Sequence, residues 1–194
     1  QPRRQRQMCI RDRICLGRNV QGQEHRCGGW GWRLDGAGST FDLGHQGLQL
    51  SMAMADGRLP DHQLRQDLWK QLSCATAEQV KAQVVQPECD SARIAALAPI
   101  VVEYAAAGYA EAEAIVTRSA TALATCAGTV ARALAMDRPR LVGHGGGLTH
   151  LHHFRQAVER AVQKDIGAMR WVRASGDACQ GALSIALDLS LKQR

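Results

Sequence analysis

The chain has 194 residues, 45% hydrophobic and only 4% aromatic, a size and composition typical of one large domain with an aliphatic core. Its formal charge of +6 falls to about +2 once residues 1–13 are set aside, so the charge does not favour a nucleic-acid-binding protein. The seven cysteines form no C-x-x-C pair, so we expect a cytoplasmic protein without disulfides or a zinc site. No apolar run approaches the length of a membrane span, and none has the pattern of a signal peptide, so we expect no membrane contact.

Residues 1–13 differ from the rest of the chain. They contain five arginines and show no apolar periodicity. The run Met8-Cys9-Ile10-Arg11-Asp12-Arg13 also resembles a translated sequencing-adapter fragment. We therefore expect residues 1–13 to be a non-native or disordered segment, and residues 14–194 to form the folded domain.

Two short strands followed by a block of helices are predicted along the chain. Residues 14–20 and 23–30 are the strands, joined by the turn signal Asn19-Val-Gln-Gly22. Apolar spacing, cap residues and prolines then predict a series of helices and two further strands. The helices cover about 40–55, 61–72, 73–85, 91–107 (with Pro99 as a kink or a join), 110–136, 151–163 and 177–189, and the strands cover 140–143 and 169–173. The fold class is therefore α/β and helix-rich.

The first glycine-rich element, residues 27–39, holds five glycines together with Trp30, Trp32 and Asp35. Closely spaced glycines let the backbone turn with positive φ or approach a ligand. A tryptophan among them offers a flat apolar face with one N–H donor. This combination is typical of a site for a sugar or a nucleotide. A tight turn with core tryptophans is the alternative interpretation.

The second glycine-rich element is Leu141-Val-Gly-His-Gly-Gly-Gly-Leu148, predicted to lead from a strand into a helix. Free backbone N–H groups in such a turn bind a phosphate or lie against a purine ring. The element lacks both the Walker A pattern and the dinucleotide G-x-G-x-x-G spacing, and a helix-packing turn is the alternative. Nearby histidines are expected to be solvated rather than metal-bound, because adjacent helical residues face different ways: His144, His150, His152 and His153.

In this order the elements resemble the N-acetylglucosamine kinase family, within the broader BadF/BadG/BcrA/BcrD-type ATPases. The similarity covers about residues 14–194. It rests on Cys27-Gly-Gly-Trp-Gly31, Gly38-Ser39, the helical block, the glycine turn at 143–147 and Gly-Ala-Leu at 181–183. It implies the C-terminal domain of the actin/hexokinase-like ATPase fold, with a ribonuclease H-like core. It also implies an ATP-dependent amino-sugar kinase that uses Mg²⁺, and it allows a homodimer.

The resemblance implies roles for individual residues as well. The Gly-Gly-Trp-Gly segment and a nearby carboxylate would contact the amino sugar through Gly29, Trp30, Gly31 and Asp35. A helical segment and the late glycine turn would flank the adenine of ATP through Ala105, Gly145, Gly146 and Gly147. No metal ligand within this chain is implied.

Two departures from the family pattern bear on function. The sugar-binding aspartate of the family falls on Gly36, so either Asp35 replaces it through a shifted backbone or the sugar differs. The second phosphate loop of the family falls on residues 10–13, and the first phosphate loop and the catalytic aspartate lie further upstream. We therefore expect this chain alone to be inactive. The alternatives are a BadF-type ATPase that couples nucleotide state to a partner protein, and a non-catalytic helical interaction module.

Overall fold

The structure is a computed structural model, and it describes residues 7–11 and 14–174 together with Gly176, Gln180 and Leu183. In this part of the chain the strands are β1 (Gln7–Arg11), β2 (Ile14–Arg18), β3 (Glu24–Gly28), β4 (Arg140–His144) and β5 (Arg170–Trp171). The helices are α1 (Thr40–Ala55), α2 (Gln63–Gln71), α3 (Ala77–Val84), α4 (Ser91–Ala95), α5 (Ala98–Ala106), α6 (Ala110–Ala133), α7 (Gly146–His150) and α8 (His152–Ile166). The helix predicted over 177–189 and the Gly-Ala-Leu motif fall outside the continuously described residues.

The five strands form one mixed sheet in the order β3-β2-β1-β4-β5. β2 pairs antiparallel with both β1 and β3. β4 pairs parallel with both β1 and β5. Four of the strands therefore point the same way and only β2 runs against them, which brings the carboxyl ends of β1, β3 and β4 to one edge.

Residues 7–11 form the central strand of this sheet. Cys9 of β1 pairs with Leu16 of β2 on one side and with Val142 of β4 on the other. The expectation that residues 1–13 lie outside the folded domain is therefore wrong for residues 7–11. Its physical reason is that strand formation depends on cross-strand partners more than on local composition, and β4 is distant in sequence. The foreign origin of the segment stays a prediction.

The long helix α6 packs over β2 and β3 on one side and against α5 and α8 on the other. Gly17 of β2 permits this approach, because a Cβ at that position would overlap the side chain of Val130. Cys15 of β2 is fully buried beneath the helix. Small residues on the inward side of α6 keep the neighbouring helices close, as the alanine content predicts: Ala112, Ala120, Ala124, Ala127 and Ala131 are all buried.

The helices α1 to α6 and α8 agree with predicted positions, with adjusted ends, whereas the short helix α7 was not predicted. α1 begins after Ser39, whose Oγ accepts the N–H of Asp42 at 3.0 Å. The predicted helix over 91–107 is two helices, and Pro99 lies in the first turn of the second, where a missing N–H costs nothing. Within the described residues no single helix is long and apolar enough to span a membrane. One pair of segments, 91–106 and 110–133, would be long and apolar enough together, but the two are bent by 117° relative to each other.

Candidate functional site

One edge of the sheet collects the loops that carry the glycine-rich motifs. Arg11 and His144 are paired at the ends of the parallel strands β1 and β4. Gly28, the end of β3, pairs with Ile14 at the same edge. The glycine–tryptophan loop (residues 28–39) and the glycine turn (residues 145–147) therefore leave the same edge of the sheet, from strands that are separated by β2 and β1. In sheets with parallel strands, ligands bind beyond these carboxyl ends.

The glycine–tryptophan loop is held in shape by its glycines and by Asp35. Gly28, Gly29 and Gly31 have φ values of 79°, 80° and 94°, a region that disfavours other residues. A Cβ at Gly29 would also overlap the side chain of Ile14. The carboxylate of Asp35 accepts the N–H of Gly29 at 3.0 Å, and the N–H of Asp35 donates to the carbonyl of Gly31 at 2.9 Å. Asp35 thus closes the loop on itself.

The two tryptophans of this loop face solvent. The exposed fractions are 73% for Trp30 and 45% for Trp32. The guanidinium of Arg26 lies 5.7 Å from the centroid of the Trp30 ring, and the Trp32 ring lies 4.9 Å from that of Phe41. The alternative of a turn with core tryptophans is therefore wrong for these side chains. Trp30 offers a largely open flat face with one polar group, a form suited to ligand contact.

The end of the loop and the glycine turn share a cleft. A Cβ on Gly147 would lie 2.9 Å from Cγ2 of Thr40, the first residue of α1, so the two elements are in close contact. The cleft is small and partly open to solvent, and it has room for about one water molecule. Its lining residues come from the loop end, α1, α6, β4, α7 and α8: Gly38, Ser39, Thr40, Leu123, His144, Gly147, Leu148 and Phe154.

The glycine turn leads into the N-terminus of α7. Gly145 has φ 95° and precedes the helix without a side-chain cap. Gly146 is exposed, and a Cβ there would meet no atom within 4 Å. The first N–H groups of a helix have no acceptor within it. The turn therefore offers open backbone surface at Gly146, which suits a flat or an anionic ligand.

Ala105 and Gly36 are two further positions that the resemblance to the kinase family singles out. Ala105 is buried on α5, and its carbonyl accepts the N–H of Gly108. It is not among the residues that line the cleft. At Gly36 a Cβ would lie 3.2 Å from the carbonyl oxygen of Trp32 and meet no other atom within 4 Å, so a side chain at the position of the family aspartate needs a small shift of that carbonyl. Of the predicted site residues, only Gly147 lines the cleft. The predicted residues of the glycine–tryptophan loop lie together but outside that lining, and Ala105 lies apart from both glycine-rich elements.

A buried polar cluster under the loop was missed by sequence reasoning. Asp42, Gln46 and Ser119 are hydrogen-bonded to one another between α1 and α6. The spacing Ser39-x-x-Asp42 is a capping signal that points to part of this cluster. No local pattern points to Ser119, because it lies 77 residues from Asp42 in the sequence.

Titratable groups near the loop do not suggest a nucleophile or a metal centre. Burial, followed by the neighbouring Cys126 thiol, raises the pKa of Cys27. Cys27 is therefore protonated at neutral pH, and thiols in that form are poor nucleophiles. Within residues 7–11 and 14–174 no group of three or more His, Cys, Asp or Glu side chains is arranged to hold a metal ion.

The family model of the BadF/BadG/BcrA/BcrD ATPases matches residues 11–186, which is most of the chain. The chain belongs to this family. The match extends from the end of the central strand through both glycine-rich elements, so it includes all the residues that form the cleft. The resemblance inferred from Cys27-Gly-Gly-Trp-Gly31 and the later glycine turn is confirmed.

Two curated relatives in this ATPase family are sugar kinases by name. The N-acetylmuramic acid/N-acetylglucosamine kinase of Clostridium acetobutylicum is 23% identical over 175 residues, which cover 89% of this chain and 57% of the relative. The N-acetyl-D-glucosamine kinase of Dictyostelium discoideum is 26% identical over 179 residues, which cover 90% and 56%. The chain thus spans little more than half the length of these relatives.

A solved structure has the same fold. The protein is from Chromobacterium violaceum, and its assignment as an N-acetylglucosamine kinase is provisional. It superposes with a TM-score of 0.69 at 24% identity, over 91% of this chain and 57% of that chain. The α/β, helix-rich architecture is therefore shared with this solved structure.

Proposed function

We propose that this chain is the C-terminal part of an ATP-dependent amino-sugar kinase, and that its sheet is the ribonuclease H-like core of one actin/hexokinase-like domain. The observation that carries the proposal is the contact between the end of the glycine–tryptophan loop and the glycine turn, through Thr40 and Gly147, at the carboxyl-end edge of the sheet. The names of the relatives, kinases of N-acetylated amino sugars, support it.

The glycine–tryptophan loop is the proposed sugar side of the site. Trp30 presents its open face to the apolar side of a sugar ring. Gly29 and Gly31 let the backbone come close to the ligand. Asp35 keeps the loop closed through the N–H of Gly29. These residues together form a preshaped wall rather than a flexible loop.

The glycine turn is the proposed nucleotide side. Gly146 is exposed and offers its backbone to the adenine or to a phosphate, Gly145 forms the turn before it, and Gly147 is buried against Thr40. Ala105 is buried and does not line the cleft, so its contact with the nucleotide stays a prediction from the resemblance. The residues that line the cleft include no carboxylate, so they do not fit a Mg²⁺ ion by themselves. In this proposal the metal is held by the nucleotide phosphates and by groups from outside the described residues.

ATP supplies the phosphoryl group, and phosphoryl transfer depends on positioning and charge neutralisation. It also needs a general base within hydrogen-bond reach of the sugar hydroxyl. We infer that the base and the main phosphate loop come from outside this chain, which therefore binds its ligands without turnover. A coupled assay with ATP and N-acetylglucosamine tests this inference. Formation of sugar phosphate by the 194-residue chain would contradict it.

Ligand-dependent thermal denaturation separates the candidate functions. A ligand that binds only the folded chain raises Tm with concentration. The kinase proposal expects a rise with N-acetylglucosamine or glucosamine and a rise with ATP. A rise with ATP alone would favour an ATPase domain that acts on a partner protein, and no rise with either would favour an interaction module. No observation in the described residues favours these two alternatives over the kinase.

Trp30→Ala, with Leu34→Ala as its matched control, tests the sugar wall. Both side chains lie in the same loop and are highly exposed, at 73% and 84%. Each substitution should therefore change the free energy of unfolding by less than about 0.5 kcal/mol. We expect Trp30→Ala to abolish the Tm rise with sugar and keep the rise with ATP, and Leu34→Ala to keep both. A full sugar response in Trp30→Ala would remove Trp30 from the site.

A further inference from the structure

A buried polar cluster lies directly beneath the glycine–tryptophan loop. Oδ2 of Asp42 accepts the hydroxyl of Ser119 at 2.6 Å and the N–H of Gly38 at 2.9 Å. Oδ1 of Asp42 accepts the amide of Gln46 at 2.7 Å. Ser119 has no exposed surface, and Gln46 is 6% exposed. Short hydrogen bonds to a carboxylate are stronger than those between neutral groups, so this cluster holds α1 and α6 together.

The hydrogen bonds of this cluster position the loop as well as the helix. In a capping box the acidic side chain returns to the N–H of the N-cap residue, which here is Ser39. Asp42 donates its own N–H to Oγ of Ser39 at 3.0 Å. Its carboxylate instead reaches one residue further back, to the N–H of Gly38. Asp42 therefore holds the end of the loop, and Ser119 holds Asp42.

The loop end lies flush against α6. Gly38 has φ 92°, and a Cβ there would lie 2.8 Å from Cγ of Leu123 and 3.0 Å from the carbonyl oxygen of Ser119. The residue that precedes the loop, Cys27, also neighbours α6 through Cys126. Both ends of the loop thus contact the same long helix, on successive turns. A loop anchored in this way loses little freedom when a ligand binds, which improves affinity.

We propose that Ser119 is a positioning residue for the glycine–tryptophan loop, acting through Asp42. Ser119 is fully buried, so its side chain is not accessible to a ligand. Its hydroxyl keeps the carboxylate of Asp42 aimed at the N–H of Gly38, and the loop keeps the form in which Trp30 faces outward. The effect on the loop is a property of this structure alone, whereas the effect on sugar affinity rests on the proposed function.

Hydrogen exchange of the loop amides tests the positioning. Ser119→Ala removes the hydroxyl, and Ser51→Ala is the matched control: Ser51 is equally buried, and its Oγ accepts the Nε1–H of Trp69 at 2.9 Å. Ser51 lies twelve residues beyond Ser39 along the same helical direction, about 18 Å away. We expect amides 29–38 to exchange about tenfold faster in Ser119→Ala, the effect of losing one hydrogen bond to a charged group, and at the wild-type rate in Ser51→Ala. Unchanged exchange in Ser119→Ala, or an equal rise in Ser51→Ala, would overturn the proposal.

Asp42→Asn shows whether Ser119 acts through Asp42. The amide cannot accept all the hydrogen bonds that the carboxylate accepts, so this variant should speed loop exchange as well. Residues that act through one contact are not additive. The double variant should therefore exchange no faster than Asp42→Asn alone. Additive increases would mean that Ser119 acts by another route.

Titration calorimetry with N-acetylglucosamine and with ATP tests the consequence for binding. We expect Ser119→Ala to raise the Kd for the sugar about tenfold and to leave the Kd for ATP unchanged, and Ser51→Ala to change neither. Faster loop exchange with an unchanged sugar Kd would overturn the link to affinity. If the wild-type chain binds no amino sugar, the proposed function fails, while the exchange data still decide the positioning role.

Discussion

Tyr104 and Asp67 show how a single hydrogen bond joins two helices near the turn that leads into α6. The hydroxyl of Tyr104 on α5 donates to Oδ2 of Asp67 on α2 at 2.6 Å. This bond is the main cause that raises the pKa of Tyr104 to about 12. The same bond, followed by that from Gln63, lowers the pKa of Asp67. Both pKa shifts stabilise the folded chain at pH values at which Asp67 is charged and Tyr104 is neutral.

Tyr104→Phe should reveal this pH dependence. Between about pH 5 and pH 9 we expect a loss of about 1 kcal/mol in the free energy of unfolding. The difference from wild type should shrink as the pH falls below the ordinary Asp pKa of 3.8, since the lowered pKa of Asp67 stabilises only above it. It should also shrink as the pH rises from 10 toward 12, since the raised pKa of Tyr104 stabilises only below this range. Urea denaturation across a pH series measures it, and a pH-independent difference would contradict the assignment.

At this residue scale the sequence predicts the exposed parts of the candidate site better than the buried ones. The glycines around Trp30 correctly indicate a backbone with positive φ. The bond from Asp35 back to Gly29 is not predicted, because an aspartate in a glycine-rich loop is equally compatible with contact to a ligand. The place of Ser119 is not predicted either, because a serine in a long helix carries no local sign of a partner 77 residues away.

At the scale of elements, Gly44 allows α1 to touch the backbone of α4. A Cβ on Gly44 would overlap the carbonyl of Ile94, and a backbone carbonyl cannot swing aside. Gly128 on α6 is also buried, but a Cβ there would meet the ends of two flexible side chains, Asp165 and Arg132. The two glycines therefore make a matched pair, with similar positions in helices and opposite tolerance of a methyl group.

Gly44→Ala should destabilise the chain and Gly128→Ala should not. Replacing glycine by alanine at an uncrowded helix position stabilises the helix by up to about 1 kcal/mol. Overpacking against a rigid neighbour costs about 1–3 kcal/mol. We expect a net loss of about 1–2 kcal/mol for Gly44→Ala and a change within about 0.5 kcal/mol for Gly128→Ala. Chemical denaturation of both variants measures the contrast. Equal values would mean that α1 and α4 do not pack this closely.

The helices are the elements that sequence predicts well, because their signals are local. Ser39 caps α1 and Pro99 opens α5, and each signal lies within a few residues of the helix end it specifies. The order of the strands has no such signal. The pairing of Cys9 with Val142 joins distant parts of the chain. The arginine-rich composition around β1 does not predict a strand, although the sheet stabilises β1 through partners on both sides.

At the scale of the whole molecule, the sheet depends on β1. A chain that begins at residue 12 lacks this strand, so β2 and β4 lose their common partner and expose unpaired edges. We expect it to lose its cooperative unfolding transition in urea, followed by circular dichroism. A chain that begins at residue 7 is the control, since it keeps β1, and should unfold at the wild-type midpoint. Cooperative unfolding of the shorter chain would contradict the central position of β1.

The pairing of β1 with β4 also sets a waiting time during synthesis. About 130 residues separate Cys9 from Val142, and a ribosome that adds 5–20 residues per second needs roughly 7–26 s to make them. Throughout that interval the first strand is complete while its second neighbour does not yet exist. Long-range pairing of this kind also slows folding, and an open strand edge recruits other chains. The yield of this protein in a cell therefore depends on what shields that edge until residue 144 emerges.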